Sequence, residues 1–156
     1  MAKLKLVAEP GKHNILMTRE FNAPRELVFR VLTDPHLIPQ WWGPKSVTTI
    51  VDKMEVRAGG IWRYIHREAN GNEYGFHGVY HDIVAPERLI FTFEFEGLPG
   101  HVLLETVTLT EQDGKTILTD SSVFQSVEDR DGMIQSGMEE GTEDSWDRVE
   151  ELLQKM

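Results

Sequence analysis

Residues 89–96 read LIFTFEFE, and their large apolar side chains fall on every second position. Leu89 and three phenylalanines lie on one face, while Ile90, Thr92 and two glutamates lie on the other. Successive side chains of a strand point to opposite faces of a sheet. The stretch therefore predicts a strand with one aromatic, buried face.

Further strands are predicted on both sides of this stretch. Asn70-Gly71 and Asp113-Gly114 are strong hairpin signals, and residues 85–87 turn the chain into residues 89–96. Strands joined by hairpins run antiparallel, so we expect an antiparallel sheet with one face to bury. The seven predicted strands cover residues 14–21, 47–54, 61–67, 74–84, 89–96, 101–110 and 115–124.

Two short helices are predicted after the first strand and one long helix at the end of the sequence. Asn22 is expected to cap the first helix, with Pro24 in its first turn, and residues 36–42 form the second. From about Asp131 to Met156 the apolar period changes to 3.6, which indicates an amphipathic helix. We therefore expect an α+β fold in which a curved antiparallel sheet wraps around this helix.

Three glycines, Gly132, Gly137 and Gly141, lie within the first part of the predicted long helix. Each destabilises a helix by about 1 kcal/mol relative to alanine. One interpretation is a flexible segment that opens as a lid. The other is a close approach of helix and sheet, or a helix that starts late, near Met138.

Composition restricts the class of protein. The 156 residues carry a net charge of −10 and no cysteine, which excludes disulfides, thiolate chemistry and cysteine-ligated metals. We expect one domain over residues 1–156, with the first ten residues loose. The sequence has no apolar run of the roughly 20 residues that a membrane helix needs and no secretory leader, so we expect no membrane insertion and a cytoplasmic location. Its acidity argues against nucleic-acid binding, which needs a basic surface.

The charge is concentrated in the last part of the sequence. Residues 121–156 hold ten acidic and three basic residues, which gives −7 of the −10. A solvated helix face explains this pattern, and an acidic docking surface for a basic partner is the alternative.

Several segments together resemble the activator-of-heat-shock-protein-90-ATPase-homologue-like family, over about residues 16–153. They are TREFNAP at 18–24, LVF at 27–29, LTDP at 32–35, QWWGP at 40–44, RAGGIWRY at 57–64, GVY at 78–80, PERL at 86–89 and GTEDSWDRVEELL at 141–153. One departure is Thr142, where the family usually has an aromatic residue. A threonine there is expected to widen the cavity near the middle of the helix or make it more polar.

The resemblance implies the helix-grip fold of the START-like (SRPBCC) superfamily, which includes the birch-pollen allergen. Superfamily members bind lipids, sterols or polyketides in a cavity between sheet and helix, and some are cyclases. The namesake of the family stimulates a chaperone ATPase, but it carries an additional domain. Fold alone does not establish which of these functions applies.

A ligand cavity is typically lined by apolar and aromatic side chains with a few polar groups. We expect one of the adjacent Trp41 and Trp42 to pack in the core and the other to gate the mouth. Ordinary core packing is the alternative for each aromatic residue and for the methionines. The candidate cavity residues are Trp41, Trp42, Trp62, Tyr64, Phe76, Tyr80, Phe91, Phe93, Phe95, Met133, Met138 and Trp146.

The register of the hairpin at Asn70-Gly71 decides which side chains face this cavity, because a slip of one residue reverses every side chain. A two-residue turn places Tyr64 opposite His77, and a three-residue turn places it opposite Phe76. We favour the second register, which turns Asp82 toward the cavity and His77 and His81 outward.

The candidate polar cavity groups are Asp82, Glu105 and Asp120, and burial would raise the pKa of such a carboxyl. Solvent-facing positions are the alternative for Glu105 and Asp120. No catalytic residue, cofactor or metal site is predicted. His77 and His81 lie about 13 Å apart on a strand, too far to share one zinc ion.

Three functions remain open from the sequence. The leading one is a binding module for an apolar or amphipathic small molecule, without catalysis. The second is a regulator that interacts with a chaperone or another protein, and the third is a cyclase- or hydrolase-type enzyme acting in the cavity. The sequence leaves the oligomeric state open.

Overall fold

A computed structural model describes residues 2–156, and eight antiparallel strands in it form one sheet. The strands are β1 Lys5–Val7, β2 Asn14–Phe21, β3 Thr48–Met54, β4 Ile61–Arg67, β5 Glu73–Val84, β6 Arg88–Phe95, β7 Val102–Gln112 and β8 Lys115–Val123. Their order across the sheet is β1-β2-β8-β7-β6-β5-β4-β3. The helices are α1 Arg25–Thr33, a 3-10 helix Ile38–Gln40, α2 Val127–Gln135 and α3 Met138–Gln154.

The predicted α+β helix-grip architecture is confirmed: the concave face of the sheet wraps around α3. The predicted count of seven strands was too low by one. We expected the first ten residues to be loose, but Lys5–Val7 form β1, which pairs with Leu16–Thr18 of β2.

The hairpin register that we favoured at Asn70-Gly71 is confirmed. Tyr64 lies opposite Phe76, Trp62 lies opposite Gly78, and Gly71 has a φ of 91°. This register places the aromatic residues of β4 and β5 on the concave face.

Irregularities at two points bend the sheet. The register shifts between Val51 and Lys53 in β3, and between Tyr80 and Asp82 in β5. A bulge adds an unpaired residue and bends its strand. The second one reverses the alternation of β5, so that Tyr80 and Asp82 face opposite sides of the sheet.

The start of α1 differs from the prediction. Pro24 occupies the N-cap position, and no side chain caps the helix. The backbone N–H of Asn22 instead donates to Glu150 Oε1 of α3 at 3.1 Å. Asn22 therefore ties the end of β2 to α3 and does not cap α1.

The predicted long helix is divided in two. Gly137, with a φ of 87°, separates α2 from α3, and glycine adopts such a conformation without the strain of a Cβ. The late helix start near Met138 is thus confirmed, and a separate short helix precedes it.

Arg19 of β2 faces the interior, which the sequence pattern did not predict. Arg19 is 1% exposed, and its Nη1 donates to Asp147 Oδ1 of α3 at 2.7 Å. Its guanidinium also lies 5.0 Å from the centre of the Phe21 ring. Arg19 therefore joins the sheet to the middle of α3 through charge as well as apolar contact.

Candidate functional site

A cavity of about 560 Å³ lies between the concave face of the sheet and the helices. Leu32 of α1, Ile38, and residues of α2 and α3 close it on the helical side. Protein interiors normally contain few voids larger than a water molecule. The space is therefore a cavity rather than a packing defect, and its size is typical of ligand sites, which span about 300–1,000 Å³.

Aromatic residues of β4, β5 and β6 form one wall of the cavity, with Trp42 at their centre. The Trp42 ring centre lies 5.0 Å from that of Tyr64 and 5.1 Å from that of Phe76, and both contacts are edge-to-face. The Trp62 ring centre lies 4.7 Å from that of Tyr64 and 5.9 Å from that of Phe93. Such pairs stabilise one another beyond their buried area, so the wall is largely preformed.

Gly78 makes room for this wall. A Cβ at Gly78 would overlap the carbonyl oxygen of Thr92 and the indole nitrogen of Trp62. Without it, Trp62 Nε1 donates to that same oxygen at 3.2 Å. The glycine therefore fixes the position of the Trp62 ring.

Both adjacent tryptophans line the cavity, and Trp41 is also part of the buried core, whereas gating by Trp42 stays a prediction. Trp41 is 7% exposed, and its Nε1 donates to the carbonyl of Val31 at 2.9 Å. Trp42 is partly exposed, and its carbonyl accepts from Thr49 Oγ1 at 2.6 Å. The first is anchored to α1 and the second to the sheet.

The Gly43 backbone connects this segment to α3. Its N–H donates to Ser145 Oγ at 3.2 Å, and its carbonyl accepts from Arg148 Nη1 at 2.7 Å. These bonds hold the Trp42 segment against the helix that covers the cavity.

An acidic corner lies beside the aromatic wall, on β7 and β8. Glu105, Asp120 and Ser122 line the cavity there. Glu105 is the register partner of Ser122, and Asp120 that of the neighbouring Val107. Ser122 Oγ donates to Asp120 Oδ1 at 3.4 Å.

Burial raises the pKa of both carboxyls. It raises the pKa of Asp120 to about 6, and that of Glu105 well above its ordinary range, with the neighbouring Asp120 charge as the second cause for Glu105. Two carboxyls that share a site do not both ionise easily, so the pair titrates as one unit. The acidic corner therefore holds a proton near neutral pH.

His66 is a cavity residue that the sequence analysis missed. It lies two residues after Tyr64 on β4, so the alternation of the strand could have identified it. Its Nε2 has no hydrogen-bond partner among residues 2–156, and burial lowers its pKa. A Cβ on Gly43 would overlap this ring, so the close approach needs a glycine.

Two tyrosine hydroxyls add weakly acidic groups to the wall. Burial raises the pKa of Tyr64 well above its ordinary range and that of Tyr80 to about 12. Tyr64 Oη lies 3.7 Å from Met54 Sδ. Both hydroxyls are therefore neutral hydrogen-bonding groups at physiological pH.

Helix residues complete the cavity. Met133 of α2 and Met138, Thr142 and Trp146 of α3 line it, and the α2–α3 junction contributes Ser136. Trp146 also packs edge-to-face against Phe21, with ring centres 6.2 Å apart. Thr142, the departure from the family pattern, does face the cavity.

Two predicted cavity residues lie elsewhere. Asp82 is absent from the lining, because the bulge after Tyr80 turns it to the convex face, where its carboxylate accepts from Arg88 Nη2 at 2.8 Å. Phe95 ends β6 beyond the cavity, and its ring packs on Phe76 at 5.2 Å between centres. The other candidates all line the cavity: Trp41, Trp42, Trp62, Tyr64, Phe76, Tyr80, Phe91, Phe93, Met133, Met138, Trp146, Glu105 and Asp120.

The convex face carries a charged network around Glu96. His77 Nδ1 lies 2.8 Å from Glu96 Oε2, and Arg63 Nε donates to the same oxygen at 2.8 Å. The Arg63 hydrogen bond, with help from His77, lowers the pKa of Glu96 to about 2. His77 and His81 point outward as predicted, and within the described part of the chain no three His, Asp or Glu side chains are grouped to hold a metal ion.

No helix in residues 2–156 is long and apolar enough to cross a membrane.

Solved structures with the same fold come from several bacteria. A protein from Rhodobacter sphaeroides shares 24% identity, with 99% of each chain covered and a TM-score of 0.91. A protein from Arthrobacter aurescens shares 25% identity over 97% of this chain and 92% of its own, with a TM-score of 0.88. A protein from Staphylococcus epidermidis shares 27% identity over 95% and 94%, with a TM-score of 0.81.

Among curated proteins, none matches this chain. The family described as "Activator of Hsp90 ATPase homolog 1-like protein" matches residues 22–154, from the end of β2 to the end of α3. That range includes most of the cavity lining, with Met17 of β2 outside it. The chain therefore belongs to the Activator of Hsp90 ATPase homolog 1-like protein family.

Proposed function

We propose that this protein binds an apolar or amphipathic small molecule in the cavity beneath α3, in the cytoplasm. The observation that carries the proposal is a space of about 560 Å³ whose lining is mainly aromatic and aliphatic. Ligand sites are generally mostly apolar, with a few polar groups that orient the bound molecule. Here those groups are Glu105, Asp120 and Ser122 at one end and His66 at another.

The arrangement of the wall supports binding rather than simple core packing. The rings of Trp42, Trp62 and Phe93 present faces and edges around an unfilled volume, and Trp42 and Phe93 remain partly exposed. An apolar ligand that covers them removes this surface from water, which yields about 25 cal/mol per Å².

A thermal-shift measurement with decan-1-ol as the probe tests the proposal. A ligand that binds only the folded state stabilises it by RT ln(1 + [L]/Kd), about 2.7 kcal/mol at a hundredfold excess over Kd. We expect a concentration-dependent rise in Tm. The absence of a rise with decan-1-ol and with a panel of lipids, sterols and aromatic compounds would contradict the proposal.

A matched pair of variants locates the binding. Thr142 lines the cavity, whereas Asp144 on the same helix is exposed. Thr142→Trp fills the space and should abolish the shift, and Asp144→Trp should leave it unchanged. Equal shifts in both variants would place the ligand outside the cavity.

Catalysis in the same cavity is a second candidate, favoured by the Glu105–Asp120 pair. A carboxyl whose pKa is raised toward neutrality by burial suits general acid–base chemistry. Hydrolysis of 4-nitrophenyl decanoate by the protein, lost in Asp120→Asn, would support this function. Rates that equal the uncatalysed reaction would count against a hydrolase.

A chaperone-regulator function is the third candidate, since the description of the family names an activator of the Hsp90 ATPase. Glu139, Glu140, Asp144 and Glu151 are exposed on α3 and could dock a basic surface. Such an attraction weakens as salt rises. The ATPase rate of the heat-shock protein 90 from the same cell, measured at low and high salt, tests it. An unchanged rate at low salt would remove this candidate.

A further inference from the structure

The two ends of the cavity differ in chemistry. Strands β4 to β6 supply the aromatic wall, whereas β7 and β8 supply the carboxyls of Glu105 and Asp120. The two regions meet where Phe91 of β6 is the register partner of Glu105 of β7. A molecule in the cavity would therefore touch aromatic rings along its body and carboxyls at one end.

Within residues 2–156, no cationic side chain pairs with the two carboxyls. Asp120 is 6% exposed and lines the cavity, and Glu105 is partly buried beside it. In the part of the chain that the structure describes, neither group forms an ion pair. Arg19 on the neighbouring β2 is engaged by Asp147 of α3 instead.

The remaining lining supplies no positive charge. It contains neither lysine nor arginine within residues 2–156, and His66 is its one basic side chain. Burial lowers the pKa of His66, which favours its neutral form. An anionic ligand head would find no cation here and would face a carboxylate.

We propose that the ligand is a hydrophobic amine, whose ammonium group is held by Glu105 and Asp120 while its apolar body lies against the aromatic wall. An ammonium donates up to three hydrogen bonds, and charge-assisted hydrogen bonds to carboxylates are among the strongest in proteins. Phe91 beside Glu105 adds a ring near the cation. The proposal rests on the proposed binding function and specifies which apolar molecules the cavity selects.

Three ligands with the same ten-carbon chain test this selectivity: decylamine, decan-1-ol and decanoate. All four tryptophans of the protein, Trp41, Trp42, Trp62 and Trp146, line the cavity. Their fluorescence therefore reports occupancy by these non-absorbing ligands. At pH 7 we expect decylamine to bind about tenfold to a hundredfold more tightly than decan-1-ol, and decanoate to bind most weakly.

A double variant links the selectivity to the carboxyls. Glu105→Gln with Asp120→Asn keeps the shape of the site and removes its charge, so decylamine should lose its advantage while decan-1-ol still binds. The control, Asp144→Asn with Glu151→Gln, makes the same two kinds of substitution at exposed positions of α3 and should keep the preference.

The outcomes separate the two proposals. If decan-1-ol or decanoate binds the wild-type protein as tightly as decylamine, the amine proposal is wrong and the binding function stands. A preference for decylamine that survives the double variant also overturns the amine proposal. If none of the three ligands changes the fluorescence, both proposals fail for chains of this length.

Discussion

Asp120 and Glu105 show how two side chains can lower stability while giving a site its chemistry. Both lie on the concave face, where neighbouring positions of β7 and β8 are the apolar Leu103, Val107 and Leu118. Burying a carboxyl favours its protonated form, and ionisation in that place opposes folding. The pair is therefore best explained by a role in the cavity rather than by stability.

The acid pair predicts a pH dependence of stability. The pKa of Asp120 rises from an ordinary value near 3.8 to about 6 on folding, so the folded state holds a proton that the unfolded chain releases. The bound proton on Asp120 stabilises the folded state fully below about pH 4, and this stabilisation is lost as the pH rises through 6. The raised pKa of Glu105 extends this pH range upward. The free energy of unfolding should fall by about 3 kcal/mol across this window from Asp120 alone.

Urea unfolding at pH 4 to 8 measures this effect, with the Glu105→Gln, Asp120→Asn double variant as reference. The stability of the variant relative to the wild type should increase as the pH rises. Glu96 and His66 also titrate, but both are present in the two proteins and cancel in the difference. A difference that is constant with pH would show that the pair is not buried as described.

The buried Arg19 depends on Asp147 for its counter-charge. Its side chain is fully buried, and that of Asp147 is 38% exposed. Asp147→Asn would leave a buried guanidinium without its counter-charge, and unpairing one charge of a fully buried pair typically destabilises by about 3–5 kcal/mol. Because Asp147 reaches solvent, we expect this variant to lower the free energy of unfolding by about 2–3 kcal/mol.

Denaturant unfolding of Asp147→Asn beside Glu73→Gln tests this value. The Arg67–Glu73 pair is exposed on both sides, and such pairs contribute little. If the two substitutions had equally small effects, Arg19 would not depend on Asp147.

Among the helices and strands, the break between α2 and α3 can be tested by a single substitution, because it lies at Gly137. Gly137 has a φ of 87°, whereas Gly141 lies inside α3, and a Cβ at either position would meet no atom within 4 Å. The two glycines therefore differ in backbone conformation and not in available space.

Alanine at each position should change stability in opposite directions. Gly137→Ala forces a left-handed conformation on a residue with a Cβ and should destabilise by about 1 kcal/mol. Gly141→Ala favours the helical backbone and should stabilise by about 0.5–1 kcal/mol. Thermal unfolding of the two variants measures this, and a stabilising effect of Gly137→Ala would mean that α2 and α3 form one continuous helix.

The strands and their register were predictable where the signal lies in neighbouring residues of the sequence. The alternation at residues 89–96 and the glycine turns located the strands, and the clustering of aromatic residues indicated the β4–β5 register. The bulge between Tyr80 and Asp82 was not predictable, because its signal is a tertiary bend rather than a turn residue. Asp82 was misplaced for that reason. β1 was missed because three residues carry too little pattern to be identified as a strand.

At the scale of the whole molecule, the aromatic wall was predictable and its polar components were predictable only in part. Alternation along the central strands places Trp62, Tyr64 and Phe91 on one face. The same alternation extends to His66, two residues after Tyr64. Arg19 is a charged residue at a position of β2 whose neighbours on the same face are apolar. A sequence pattern cannot show that Asp147 lies opposite it.

A small apolar molecule that binds in the space beneath α3 would change the surroundings of the side chains that line it. The most direct measurement is a pair of nitrogen-15 NMR spectra, recorded with and without decan-1-ol. The four tryptophan indole N–H groups should respond, since all four side chains line the cavity. The backbone amides of Asp113, Gly114 and Lys115, at the exposed turn between β7 and β8, should stay unchanged. Unchanged indole signals, or changes confined to this turn, would contradict binding in the cavity.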